Sequence, residues 1–509
     1  MRIPKVVRVA TVVAALTVPA SFSSRAQQPN AAGKAPIHGK SAGRLLIRNA
    51  MVVYGNAKPA FGPVDILVQD GLIAHVGPHA ESNVDAIIDG TGKYVLPGFV
   101  DTHGHLQDDR AGVPQPLQYE LNLYLAAGVT TFRDVGSDFD KAKRWRAQSA
   151  SHELIAPRIL LYTGIWRTRG MTPLQLHDGV RYAKEQGADG LKLSGLDRDQ
   201  LEAVMYEAHR LGLRTATHIG VEETTATDYA ELGVTSIEHF YGVADAALDG
   251  IQSFPSDMNY SDEIDRFSRA GELYIQQNLN REKLSTVLDL MISHHVAWSP
   301  TFSIYAASRD LLRAQNLPWY REYLHPAMEE YFKPSPSNHG SYFIGWTNTQ
   351  EVRWKKNYQV WMDAVREFAV KGGLVTTGDD AGFIYSLYGF GLIHELELQE
   401  EAGFHPLEVI RNATVNGAKV LGLDDRIGRV REGYVADLLV VNGNPLDNLH
   451  LLNPYGTDLN INNHNIRGGG IEWTIKDGIP YHVPTLMREV KEMVAKARTE
   501  RARQSTAQP

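Results

Sequence analysis

From Phe99 to about Leu423, short apolar runs alternate with amphipathic stretches such as "LHDGVRYAKEQGAD" and "DRDQLEAVMYEAHRLGL". A short apolar run followed by a segment with helical periodicity is the signature of a βα unit. Such units in series build a parallel sheet with its helices outside. The runs end near Asp101, Arg133, Tyr162, Lys192, His218, His239, Thr301 and Asp380, which gives eight strands. Eight units are what a TIM-like (β/α)8 barrel requires, so the expected fold class is α/β. The stretches from His239 to Thr301 and from Thr301 to Asp380 are longer than one unit needs, and the second is rich in aromatic residues between Trp319 and Trp361. These insertions are expected to form helices arching over the barrel mouth.

The flanks read differently. "RLLIRNAMVVYG", "DILVQDGLIAHVG" and "AIIDGTGKYVLPG" near one end, and "GRVREGYVADLLVVNGNP" and "IEWTIKDGIPYHV" near the other, are strand-turn-strand patterns punctuated by Gly, Asn and Asp. They predict a small β-sandwich domain built from both chain ends, residues 44–97 and 426–485, around a barrel at 98–425. In residues 486–509, Leu486, Val490, Met493, Val494 and Ala497 share a helical face, which predicts a terminal helix packed on the body. Arg2, Lys5 and Arg8 precede an apolar stretch from Val9 to Ala20, so residues 1–26 read as a secretory signal peptide cut after Ala20 or Ala26 and followed by a flexible segment, 27–43. The apolar stretch is shorter than the ~20 residues a helix needs to span a bilayer. A secreted or periplasmic protein with no stable membrane insertion after signal removal is therefore expected. A formal net charge of -8 argues against nucleic acid as a partner. The absence of cysteine rules out disulfides, a thiol nucleophile and cysteine-bound metal.

The chemistry gathers at the strand ends. In "LPGFVDTHGHLQ", His103 and His105 stand two residues apart, and residues i and i+2 of a strand face the same side, so both imidazoles aim at the barrel axis. "ADGLKLSG" ends with Lys192, "RTATHIG" with His218, "TSIEHFYG" with His239 and "LVTTGDDAG" with Asp379 and Asp380. Each polar group follows an interior apolar run, where an unpaired charge or imidazole costs several kcal/mol. Imidazole and carboxylate around an open mouth suit a divalent ion, and four histidines with an aspartate exceed what one tetrahedral zinc uses, so two ions are expected. A buried lysine loses its proton readily. The neutral Lys192 amine would add carbon dioxide and become a carbamate able to bridge two metals.

"LPGFVDTHGHL", the strand-end lysine, the "TH" and "IEH" histidines, and "GDDAG" followed by "ATVNGAKVLGLDDRIGRVREGYVADLLVVNGNP" closely resemble the amidohydrolase superfamily over about residues 44–485. The chain looks most like the metal-dependent branch that includes imidazolonepropionase-like proteins and prolidase-like dipeptidases of the Xaa-Pro or Xaa-Arg type. The resemblance implies a first metal held by His103, His105 and Asp380 and a second by His218 and His239, with carboxylated Lys192 as the bridge. Zinc is the default ion on ligand type. The family's usual ending is Gly-Thr-Asp-Ala-Gly, and here Asp379 takes the threonine position, so the trailing Ala381-Gly382 places the ligand at Asp380. Neighbours on a strand point oppositely, and Asp379 is expected to act as an N-cap or a hydrogen-bond partner in the loop.

Two cations sharing a water bring its pKa toward neutrality. The expected reaction is cleavage of an amide bond by metal-activated hydroxide, with Asp380 as the catalytic base that passes the proton on to the leaving nitrogen. A small substrate such as a dipeptide or an N-acyl amino acid fits an aromatic-rich lid. "YTGIWRTRGMTP" offers Tyr162, Trp166, Arg167 and Arg169 near the mouth, where a guanidinium would clamp a substrate carboxylate. Tyr241 is placed to steady a developing oxyanion. Arg133 is expected to tie strand ends together through Asp134, and His294 and His295 to lie at the surface. A deaminase or cyclic-amide hydrolase would use the same ions. A non-catalytic scaffold predicts eroded ligands, and none of the six positions is eroded. Assembly into a homo-oligomer is compatible with the sequence.

Overall fold

The computed structural model describes residues 34–80, 83–110, 112–165, 170–220, 224–250, 257, 262, 264–265, 279–335 and 340–507. The expected signal peptide lies outside the described residues. Among them, no helix is long and apolar enough to cross a membrane.

Seven parallel strands follow one another around a sheet in chain order: β1 (Phe99–Gly104), β2 (Val129–Asp134), β3 (Arg158–Ile165), β4 (Gly190–Ser194), β5 (Arg214–His218), β6 (Ser236–Glu238) and β7 (Ala297–Ser299). Residues 374–380 fill the place between the last and the first. Trp298 pairs with Val375 through a parallel bridge. Thr102 N donates to Thr377 O at 2.9 Å, and Asp380 N to His103 O at 2.8 Å. The ring is thus completed by an eighth segment too irregular to form a regular strand. One reason is that side chains take up its carbonyls: Asn416 Nδ2 donates to Val375 O at 2.8 Å and Gln399 Nε2 to Thr376 O at 3.2 Å.

Both chain ends share one sheet, as their patterning suggests. Ile479–His482, Ile471–Lys476, Leu438–Asn442, Lys93–Pro97, Arg44–Val52, Phe61–Gln69 and Leu72–Gly77 are hydrogen-bonded in that order, with Ala86–Asp89 beside Arg44–Val52. The hydrogen bonding is continuous, so the strands form one mixed eight-stranded sheet, where the expected sandwich needs two stacked sheets. The reason lies in Arg44–Val52, which changes partner along its length. Leu45–Arg48 pair with Ala86–Asp89, whereas Met51 and Val52 pair with Lys93–Pro97.

The run Leu438–Val441 is apolar throughout because both of its faces are covered. Leu438 and Val440 enter the sheet's own core with Val95, Trp473 and Ile475. Leu439 and Val441 point the other way, into the main core with Phe99 and Ile471. Gly128 lets this junction close. Its φ is +85° and a Cβ there would lie 2.7 Å from Leu439 Cδ1, so both backbone and space require glycine. The C-terminal helix Val483–Ala507 buries Leu486, Val490 and Val494 and packs on helix Leu117–Ala126. In the aromatic-rich insertion, helix Asn348–Val370 buries Trp354, Tyr358 and Trp361. Trp361 stacks on Phe240 at 5.7 Å, and Trp354 on Tyr305 at 5.7 Å, which ties the insertion to the strand ends.

Arg158, at the start of β3, links the barrel to the end sheet. Its Nη1 donates to Asp437 Oδ2 at 2.6 Å and to Thr131 Oγ1 at 2.8 Å, and Nη2 pairs with Asp477. Burial opposes the charge on Asp477, but Arg158 and Lys476 beside it hold that carboxyl below its usual range. A carboxylate with a lowered folded pKa stabilises the fold above its unfolded pKa, and the contribution is lost as pH falls. Arg158→Met leaves Asp437, whose side chain is 2% exposed, without its cation. The expected cost in denaturant unfolding at neutral pH is about 3 kcal/mol. The difference from wild type should shrink below pH ~4, as Asp477 takes up its proton.

Candidate metal centre

His103, His105, Lys192, His239 and Asp380 converge at one end of the barrel. The Asp380 Oδ1 lies 3.0 Å from His105 Nε2 and 3.6 Å from His103 Nε2, and its Oδ2 lies 3.8 Å from His239 Nε2. Lys192 Nζ is 3.2 Å from His103 Nε2. His218 joins through its ring, 4.5 Å from that of His239. His103, His105 and Asp380 offer three ligand atoms all within 4.8 Å of one another.

What aims these nitrogens lies behind them. His103 Nδ1 is 2.7 Å from Glu238 Oε2, and the other oxygen of Glu238 takes Arg133 Nη2 at 2.7 Å and the Ser236 hydroxyl at 2.5 Å. A carboxylate paired with arginine can only accept, so His103 donates from Nδ1 and turns the lone pair of Nε2 toward Lys192 and Asp380. His239 is fixed in the same way. The Thr301 hydroxyl donates to Pro300 O at 2.7 Å and accepts from His239 Nδ1 at 2.5 Å, which leaves Nε2 facing the site.

Backbone strain gathers here as well. His239, Thr301 and Asp380 have φ of 65°, 53° and 48°, left-handed conformations that cost about 1–3 kcal/mol each. Hydrogen bonds hold them in place: His239 N donates to Ser299 O at 2.9 Å, and Trp298 Nε1 to His239 O at 2.5 Å.

Burial, followed by the Lys192 charge, holds His103 well below the ordinary imidazole range. Burial, followed by His103, does the same to His239. Burial lowers Lys192 to about 8. For Asp380 burial works the other way, but His103, His105 and Lys192 outweigh it and keep the carboxyl ionised. The site therefore presents neutral imidazoles, an amine that deprotonates readily and a carboxylate. That is the protonation state metal ligands need. The donor set and its geometry fit a divalent cation.

Residues 94–479 match the family described as the Amidohydrolase family. The chain belongs to the amidohydrolase family. It is 42% identical over 88 residues to a dihydroorotase of a Thermoanaerobacter species, covering 17% of this chain and 20% of that protein. It is 45% identical over 69 residues to an imidazolonepropionase of Salinispora arenicola, covering 12% and 18%. The chain thus matches about a fifth of the length of these curated relatives. In fold it is similar to a Xaa-Pro dipeptidase solved with bound methionine in the active site, with a TM-score of 0.60 at 19% identity, covering 86% of this chain and all of that one.

Within this amidohydrolase, Tyr162 lies away from the ligands and Tyr241 beside them. Tyr162 is a core side chain rather than a mouth residue. It pairs with Gly190 while Gly164 pairs with Lys192, so it sits two residues below the ligand level, 3% exposed, with the Arg133 guanidinium 5.2 Å from its ring. Tyr241 is buried and stacks on His218 at 5.5 Å. Trp166, Arg167 and Arg169 lie outside the described residues. Arg133 does tie strands together, but through Glu238 and Ser236 and not through Asp134, whose carboxylate accepts from Gly136 N, Ser137 N and the Ser137 hydroxyl. His294 and His295 are exposed. Asp379 points away from the ligands and accepts from Ala381 N at 3.1 Å. It also shares a hydrogen bond with Asp101, and burial raises both acids, Asp101 to about 7, so the pair holds a proton at neutral pH.

Glu238 and Thr301 were not singled out from sequence. The signal for Glu238 was an acid placed directly before a strand-end histidine in "IEH". Glu238→Gln keeps the shape but replaces the acceptor that aims His103. It should weaken zinc binding by about 10–100-fold in titrations of metal-stripped protein.

Proposed function

We propose that this amidohydrolase is an enzyme that hydrolyses the amide bond of a small substrate, such as a dipeptide or an N-acyl amino acid, with two divalent ions, zinc by default. The observation that carries the reading is the convergence on one carboxylate of neutral, buried imidazoles whose outer nitrogens are already engaged. His103, His105 and Asp380 would hold one ion and His218 and His239 the other, with Lys192 between them as a carbamate. A lysine lowered to about 8 supplies the neutral amine that carbon dioxide needs. When bound, the ions would polarise the scissile carbonyl and make a water acidic enough to ionise near neutral pH.

The remaining work belongs to this chain's own groups. Asp380 is kept ionised by its cationic neighbours, so it is ready to accept a proton at a carboxylate oxygen, and its Oδ1 lies 3.0 Å from His105. It would return that proton to the departing nitrogen. Tyr241, Tyr305 and Trp354 form an aromatic wall behind His218 and His239, with Tyr241 6.2 Å from Tyr305. Such a wall suits an apolar acyl group and excludes water.

The likeness to a Xaa-Pro dipeptidase supports a linear amide, whereas the local likeness to a dihydroorotase and an imidazolonepropionase supports a cyclic one. Small, soluble substrates are the expected partners, and the basic-then-apolar N-terminus supports a secreted or periplasmic location.

Asp380→Asn should remove turnover by a factor of about 10³ or more while leaving the folded signal in circular dichroism intact. Unchanged activity would refute the assignment. An acyl-dipeptide screen read by amino acid release should be positive and ammonia release negative; the reverse would favour a deaminase.

A further inference from the structure

Arg110 stands in the short hairpin that follows β1, where Asp109–Arg110 pairs with Val113–Pro114, and only 3% of it is exposed. Its Nε and Nη2 both donate to the Tyr388 hydroxyl, at 2.8 and 2.6 Å. Its guanidinium lies 4.6 Å from the ring of Phe383, 5.4 Å from that of Tyr388 and 5.6 Å from that of Tyr331. The Tyr388 oxygen also accepts from Gln115 Nε2 at 2.9 Å, so three donors crowd one neutral phenol. Among the described residues no carboxylate comes within ion-pair distance of Arg110. Glu120, the acid whose field it feels, lies beyond that distance, and burial pushes its carboxyl well above the usual range. A buried guanidinium without its own anion is rare, because burial opposes an unpaired charge.

Its position gives that charge a purpose. Phe383 packs edge-on against the ring of His105 at 5.4 Å, so one aromatic side chain touches both a metal-ligand candidate and the guanidinium. Arg110 Nη2 lies 2.0 Å from where a Cβ on Gly382 would stand, and Gly382 is the second residue after Asp380. The glycine of "GDDAG" thus makes room for arginine against the backbone that leaves the site. No hydrogen bond among the described residues uses Nη1, and Nη2 has a second proton, which together form the two-point fork that matches a carboxylate.

We propose that Arg110 anchors the free carboxylate of the substrate, selecting dipeptides and N-acyl amino acids over neutral amides and cyclic amides. This rests on the reading that the site cleaves amides. The test assays zinc-loaded, full-length protein on a panel of dipeptides and N-acyl amino acids, each beside its C-terminal carboxamide. Wild type should prefer the acids in kcat/KM by about 10–100-fold. Arg110→Gln should lose that preference through KM, with kcat on the acids and all values on the carboxamides held. Arg110→Lys, which keeps the charge without the fork, should fall between the two, and it carries the test if thermal unfolding shows that the glutamine variant does not fold. Equal wild-type rates on acid and carboxamide would overturn the proposal. So would an Arg110→Gln variant that slows both alike, which would make Arg110 a structural tie. Either result leaves amide cleavage standing. If wild type cleaves no member of any pair, the amide reading falls and the proposal with it.

Discussion

The site depends on a buried ion pair that crosses the barrel. Arg133 comes from the second strand and Glu238 from the sixth, positions that face each other across an eight-membered ring, and both side chains are fully buried. Their 2.7 Å contact joins opposite walls, and the second oxygen of Glu238 holds His103. Removing either partner would leave a charge with no solvent, so closure of the barrel and orientation of the first histidine are enforced by the same bond. Arg133 Nε also donates to Thr102 O, on the strand that carries His103. The floor of the site is therefore braced from three strands before any ligand arrives.

Above this brace, His103 and His239 have their outer nitrogens satisfied and their inner ones turned toward the site. Thr301 does for His239 what Glu238 does for His103, and the positive φ values at His239 and Asp380 are held by named backbone and indole hydrogen bonds. Strain kept where neutral nitrogens and one carboxylate meet is preorganisation. The end sheet contributes through its two-faced strand Leu438–Asn442, which fills the sheet's own core on one side and seals the main core on the other.

Much of this was legible in sequence because interior strands that end in His, Lys or Asp violate apolar patterning in a regular rhythm. The strand order and the convergence on Asp380 follow from that rhythm. Other features arise only on closure. Nothing local to "TTFRDVG" says that Arg133 reaches Glu238 rather than Asp134, since the pair is made by bringing the second and sixth strands face to face. Tyr162 was misplaced because β3 continues to Ile165, and its register against Gly190 drops the ring one layer into the core. Period-2 patterning identifies strands but not the point at which Arg44–Val52 exchanges one partner for another. Arg110 gave no signal, since an arginine in a polar hairpin looks solvated until Gly382 and three aromatic rings enclose it.

The proposed function requires that six side chains from five strand ends hold a pair of divalent ions. Elemental analysis of the purified full-length protein, after stripping and reconstitution with zinc and bicarbonate, tests it most directly. Two tightly held zinc ions per chain are expected. A folded protein that retains none would contradict it.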